Sequence, residues 1–138
     1  MTAIDASNVV DEALRAVLAP LAPGGAHNTL RDQRSAFPVI VFRLAPGSED
    51  LPRYGARDGV EHLEYDVRVI APRDLQAGVG AILANVHATL QGVAMTLPGL
   101  THLQTMRRRR IPTYSESTTG TAYIHRGSTY TVSISHPT

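Results

Sequence analysis

The sequence has no cysteine and no lysine, and charged residues make up only 18% of it. The missing cysteines exclude disulfides, thiolate metal sites and cysteine nucleophiles, and are compatible with a reducing compartment. All 13 basic residues are arginine, a bias that carries no functional conclusion by itself. The charged fraction falls below the roughly 25% of an average soluble domain, so something other than charge must cover part of the surface. A net charge of +1 is too small to advertise a nucleic-acid or membrane partner. No run of 18 apolar residues is present, which argues against a membrane-spanning helix. The N-terminal MTAIDASNVVDEALR lacks the basic and apolar regions of a secretory signal. The length, 138 residues, fits one domain spanning 1–138.

The shortage of charge is local. From Leu75 to Met106, 32 consecutive residues include no Asp, Glu, Lys or Arg, and four arginines follow at once. Residues 1–60 sum to −1, residues 61–100 to −2 and residues 101–138 to +4. The uncharged segment carries Gln76, Asn85, His87, Gln91, His102 and Gln104, too polar for lipid, and it predicts protein contacts on more than one side.

Hydrophobic spacing predicts a first helix from about Asp5 or Asn8 to Leu18, with Asn8 and Asp11 resembling a capping arrangement and Val9, Val10, Ala13, Leu14, Val17 and Leu18 recurring at helical intervals. Pro20, Pro23, Gly24 and Gly25 make a turn, and residues 26–36 read as a polar connector. Phe37–Leu44 (FPVIVFRL) is a strand, and Ala45–Gly59 a long loop. His62–Ala71 alternates, placing Leu63, Tyr65, Val67 and Val69 on one face and His62, Glu64, Asp66 and Arg68 on the other.

Asp74 is a candidate N-cap for a second helix to about Gln91, with Leu75, Val79, Ile82, Leu83, Val86 and Leu90 in one stripe facing a sheet. Its opposite face carries Ala81, Ala84, Ala88 and Gln91, small and uncharged, where a second backbone can approach; Gly78 and Gly80 are further candidates for close approach. Val93–Thr96 and Leu100–Ile111 read as extended, Pro112–Gly120 as a loop, and Thr121–Ser135 as either a hairpin or one strand bulged at Gly127. The resulting fold class is α+β, an antiparallel or mixed sheet with two helices packed on one face.

Chemical motifs are sparse. The six histidines show no metal-ligand spacing, and no nucleophile elbow, phosphate loop or dinucleotide fingerprint is present. The chain therefore reads as a non-enzyme without cofactor or metal, and the shared face of His62 and Asp66 is too little for acid–base catalysis. The one strong feature is Arg107, Arg108, Arg109 and Arg110. Strand alternation sends Arg107 and Arg109 one way and Arg108 and Arg110 the other. Burying unpaired guanidinium groups is costly, so the run belongs at a strand end, a sheet edge or a subunit interface. There it can meet phosphate, or a neighbour's carboxylates near Glu49, Asp50 or Asp58.

The order of elements, together with FPVIVFRL, EYDVRVIA leading into an aliphatic helix, and the closing TAYIHRGSTYTVSI, resembles the tail completion or tail terminator proteins of long-tailed bacteriophages. The resemblance runs from about Val9 to Ile134 and lies in layout and texture rather than in a single motif. It implies an α+β subunit of a homo-oligomeric ring, commonly a hexamer. Such a ring sits in the virion at the head-proximal end of the tail tube, ends tube polymerisation and joins the head, after assembly in the host cytoplasm. The implied partners are other copies of the chain, the tail tube protein and the head–tail connector protein, with DNA passing through the lumen without specific binding. On this reading Ala81, Ala84, Ala88, Gln91, Glu49, Asp50, Arg53 and Arg57 are candidate interface residues, and Arg107–Arg110 meet phosphate or form ion pairs between subunits. A head–tail connector or head-closure subunit is the alternative within structural proteins. A DNA-binding module using Arg107–Arg110 is the alternative outside them, and it predicts affinity that falls steeply with salt.

Overall fold

The computed structural model describes residues 6–28, 36–45, 60–92, 94–118 and 120–136. Two helices, α1 (Ala6–Leu18) and α2 (Val79–Gly92), accompany five strands, β1 (Ala26–His27), β2 (Val39–Leu44), β3 (Val60–Pro72), β4 (Thr101–Thr118) and β5 (Thr121–Ser135). The strands form one sheet in the order β1-β2-β3-β5-β4, antiparallel throughout except for the parallel β1–β2 pair. Both helices pack on the same side, α1 against β1 and β2, and α2 against β3, β5 and β4. The expected α+β class, a mixed sheet with two helices on one face, is the observed one.

The core follows from two periodicities. In α1, Val10, Leu14 and Leu18 are buried at intervals of four, one stripe of the helix. In β3, Leu63, Tyr65, Val67, Val69 and Ala71 are buried at intervals of two and face the helices, and Tyr130, Val132 and Ile134 of β5 continue that layer. Strand β5 lies between β3 and β4, so both of its edges are paired, and Thr129 and Ser133 on the side away from the helices are buried as well. Thr129 Oγ1 there donates to Asp66 Oδ1 at 3.1 Å, satisfying a polar group that burial would otherwise penalise.

Helix α1 is tied to the sheet by a polar contact inside the apolar layer. The Tyr65 hydroxyl, on a fully buried side chain, donates to Asp11 Oδ1 at 2.6 Å, and Asn28 Nδ2 donates to Asp11 Oδ2 at 3.0 Å. Asp11 thus bridges helix and sheet instead of capping, and Asn8 is inside α1 rather than at its start. Replacing Tyr65 by Phe removes the donor and leaves a half-buried carboxylate with one bond fewer. The expected loss is about 1–3 kcal/mol in denaturant unfolding; an unchanged midpoint would show that the contact contributes nothing.

Several sequence expectations are corrected. The second helix does not start at Asp74: Arg73–Gly78 is a 3-10 turn, and Leu75, left out of the apolar stripe, is 43% exposed. Ala26 and His27, read as connector, add a short strand beside β2 because Ala26 fills the core under α1. Residues 94–97 form no strand; Met95 and Leu97 are buried, and the Met95 N–H donates to His102 Nδ1 at 3.2 Å. Pro112–Thr118 is not a loop but the continuation of β4, an edge strand, where the missing N–H of Pro112 is tolerated. Thr121–Ser135 is a single strand in unbroken register with β3, and the irregularities lie in β4 opposite it. Strand β4 has 18 residues against 15 in β5, and three register shifts, after His102, Arg107 and Ile111, absorb the difference. Gly78 and Gly80 mark no tight approach: a Cβ at Gly78 would meet nothing within 4 Å, and one at Gly80 would make only ordinary contact.

Candidate functional site: the arginine edge and the groove beside helix α2

The arginine run lies on β4, at the sheet edge where desolvation is least, as the cost of burying guanidinium requires. Its side-chain directions differ from simple alternation. Arg107 pairs with Tyr130 and Arg109 with Thr129, which leaves Arg108 as the extra residue of a bulge. The bulge resets the phase, so Arg107 and Arg110 lie opposite Tyr130 and Ser128 on the helix side, while Arg109 lies opposite Thr129 on the other. The expected pairs, Arg107 with Arg109 and Arg108 with Arg110, are therefore replaced by Arg107 with Arg110.

On the helix side these two arginines line a groove of about 500 Å³ between α2 and the β4–β5 hairpin. Leu83 and Ala84 of α2 form one wall, Ile111 and Pro112 part of the other, and Arg126, His87 and Tyr130 complete it. His87 Nδ1 and the Tyr130 hydroxyl share a hydrogen bond of 3.2 Å. Burial, and then the positive charges of Arg107 and Arg110, hold His87 below its usual pKa, so its ring stays neutral near pH 7 and adds no further repulsion. Among the described residues no acid lines the groove, and no carboxylate pairs with Arg107, Arg108, Arg109, Arg110 or Arg126.

Beside the groove, Ala81, Ala84, Ala88 and Gln91 are all exposed, as their spacing on the second helix predicts. Beyond them along the edge, Leu103 and Met106 of β4 are 51% and 45% exposed. The uncharged stretch thus covers one flank of the molecule, from α2 across to β4, and includes apolar side chains open to water. Glu49, Asp50, Arg53 and Arg57 lie outside the described residues.

The opposite side of the sheet holds a shallower depression of about 290 Å³ lined by Arg43, Asp66, Arg68, Glu116 and His125 among others. Its charges largely satisfy one another: Arg68 lies 3.5 Å from Asp66 Oδ2 and donates to the Tyr114 hydroxyl at 2.5 Å. His125 is 4% exposed and stacks on Tyr114 with ring centroids 4.4 Å apart. Glu116 Oε2 is 3.1 Å from His125 Nε2 but off the line of a hydrogen bond, and neither ring nitrogen has a partner. His62 and Asp66 do not form an acid–base pair: His62 bonds to Ser133 Oγ at 2.7 Å, and Asp66 is occupied by Thr129 and Arg68. Among the described residues no three His, Asp or Glu side chains gather as metal ligands would.

His125 sets an expected pH response. Burial lowers its pKa, with Arg68 adding to that and Glu116 opposing it. The folded chain therefore binds fewer protons at this site than the unfolded one. This contribution to stability is complete above the ordinary histidine value of about 6.5 and is lost as pH falls below it toward the depressed folded value. Burial also lowers His87 and His102. Thermal midpoints should fall as pH drops from 7 toward 5, and His125→Phe, which keeps the stack on Tyr114, should flatten that slope. An equal slope in wild type and variant would exclude His125 as a contributor.

Solved structures share this architecture. A chain from the virion of a native gene transfer agent particle superposes with a TM-score of 0.59 over 95% of this chain and 99% of its own, at 14% sequence identity. The fold is one found in a virion. A second solved chain matches with a TM-score of 0.52 at 16% identity, over 91% of this chain and 94% of its own. No protein-family model and no curated protein sequence matches the chain. The overlay with the gene-transfer-agent chain runs nearly end to end in both molecules, so the likeness is one of overall fold.

Proposed function

We propose that this protein is a structural subunit of a phage-like virion, which works by assembling with copies of itself into a ring at the head-proximal end of the tail tube. The ring would end tube growth and offer the surface to which the head joins, with no catalysis and no cofactor. The observation that supports this reading is the nearly end-to-end superposition on a chain of a gene transfer agent virion. The exposed, uncharged flank formed by α2 and the start of β4 agrees with it, because a ring subunit meets two neighbours through two different surfaces. DNA crossing the lumen would meet no specific site. The same evidence suits a head–tail connector subunit, and position in assembled particles separates the two.

Light scattering and negative-stain images of the purified protein test the ring, and particles lacking the protein test its place. Closed rings, together with tails of abnormal length that fail to join heads, are the expected results. A protein that stays monomeric at high concentration, with mutant particles whose tails are normal and joined, would sink the reading.

A further inference from the structure

The groove beside α2 brings three arginines together, and among the described residues it supplies no acid for them. Arg107 and Arg110 enter it because of the bulge at Arg108, and Arg126 enters from β5, close enough to α2 that a Cβ on Gly80 would lie 3.7 Å from its Nη1. Holding like charges in one groove without a counterion costs folding energy that a lone subunit does not recover. The groove is also not purely cationic: Leu83, Ala84, Ile111 and Pro112 give it apolar walls. That mixture suits a protein segment bearing carboxylates on an apolar stem. It suits a nucleic-acid backbone less well, since a rigid duplex cannot follow a cleft walled by a helix and offers no apolar group to Leu83 and Ile111.

We infer that this groove receives carboxylate side chains from a neighbouring copy of the same chain, and so forms one half of the subunit contact. The inference rests on the ring reading above and names the chemistry of its joint. Charge complementarity within the sequence supports it: residues 101–138 carry +4, whereas residues 1–60 and 61–100 carry −1 and −2. A head-to-tail contact sets one region against the other and can close a ring. The groove also adjoins the exposed Ala84 and Ala88 face, so carboxylates bound there would bring the neighbour's backbone against small side chains.

The test compares two full-length double variants of equal net charge. Arg107→Glu/Arg110→Glu reverses the groove, and Arg108→Glu/Arg109→Glu reverses the two arginines outside it. Sedimentation or light scattering across a concentration series should show association weakened about 30-fold or more in the first, the size expected for breaking a close interfacial charge pair, with little change in the second. Thermal midpoints should not fall in the groove variant, because reversal relieves repulsion within the subunit. Wild-type association should also weaken with added salt. If the groove variant assembles like wild type, or the outside variant fails equally, the inference is overturned while the ring stands. If wild type does not assemble, the ring reading fails and takes this one with it. A duplex oligonucleotide that binds wild type and not the groove variant, with assembly unchanged in both, would assign the groove to phosphate and overturn it too.

Discussion

Gly127→Ala should destabilise the protein by about 3 kcal/mol or more, lowering the thermal midpoint by on the order of 10 °C. Gly127 is in the middle of β5, opposite Arg68 of β3 and Ile111 of β4. A Cβ at this position would lie 2.0 Å from the Val67 carbonyl oxygen and 2.8 Å from the Arg68 Cα, and both obstacles are backbone of the neighbouring strand. A flexible side chain could move aside; a paired strand in the centre of the sheet cannot move without breaking its ladder. The alanine must then push β3 and β5 apart at the layer where Tyr65, Val67 and Tyr130 pack. Against a total stability of roughly 5–15 kcal/mol this is a severe loss. Gly78→Ala is the matched control. Its added Cβ meets nothing within 4 Å, so its midpoint should stay at or slightly above that of wild type. Equal midpoints for Gly127→Ala and wild type would mean that β3 and β5 do not approach as described.

If the subunit assembles as proposed, Ala84→Arg/Ala88→Arg should abolish self-association while leaving the subunit folded. Both positions are exposed on α2 and arginine is a good helix former, so circular dichroism should hardly change, and the thermal midpoint of the isolated subunit should fall only slightly, from the added positive charge beside the groove arginines. At an interface the same long side chains would stand where the neighbour's backbone packs and hold the two surfaces apart. Overpacking a close contact at two positions costs several kcal/mol, which at about 4 kcal/mol is roughly a 1000-fold loss of affinity. Light scattering should then report the 14.9 kDa subunit under conditions where wild type forms rings. A variant that assembles normally would remove the α2 face from the contact. Groove and helix face are close enough that their effects need not add, and combining these substitutions with Arg107→Glu/Arg110→Glu would measure the coupling.

Much of the fold was legible because it depends on periodicity. The alternation of Leu63, Tyr65, Val67 and Val69 and the four-residue spacing of Val10, Leu14 and Leu18 each state which side faces the core, and burial follows both. The charge-free stretch from Leu75 to Met106 was equally plain, as was the exposed alanine face within it. The cost of burying guanidinium limited Arg107–Arg110 to a strand end, a sheet edge or a subunit interface, and β4 is a sheet edge.

Boundaries and phase were not legible. Nothing local distinguishes Arg73–Gly78 from the first turn of a helix, since Asp74 is an acceptable cap and only packing turns Leu75 outward. Pro112 and the serines and threonines after it carry turn propensity, yet they stay in β4 because β5 pairs along their length. The grouping of Arg107 with Arg110 depends on a bulge at Arg108, which arises from fitting 18 residues of β4 to 15 of β5. Arg126 joins them only because β5 passes beneath α2. The sequence by itself therefore determined the class of fold, the uncharged flank and the exclusion of the arginines from the core, since each follows from the chemistry of a residue and its near neighbours. Tertiary structure alone decided which arginines share a groove, because strand register is set by pairing across the whole hairpin and by the backbone contact at Gly127.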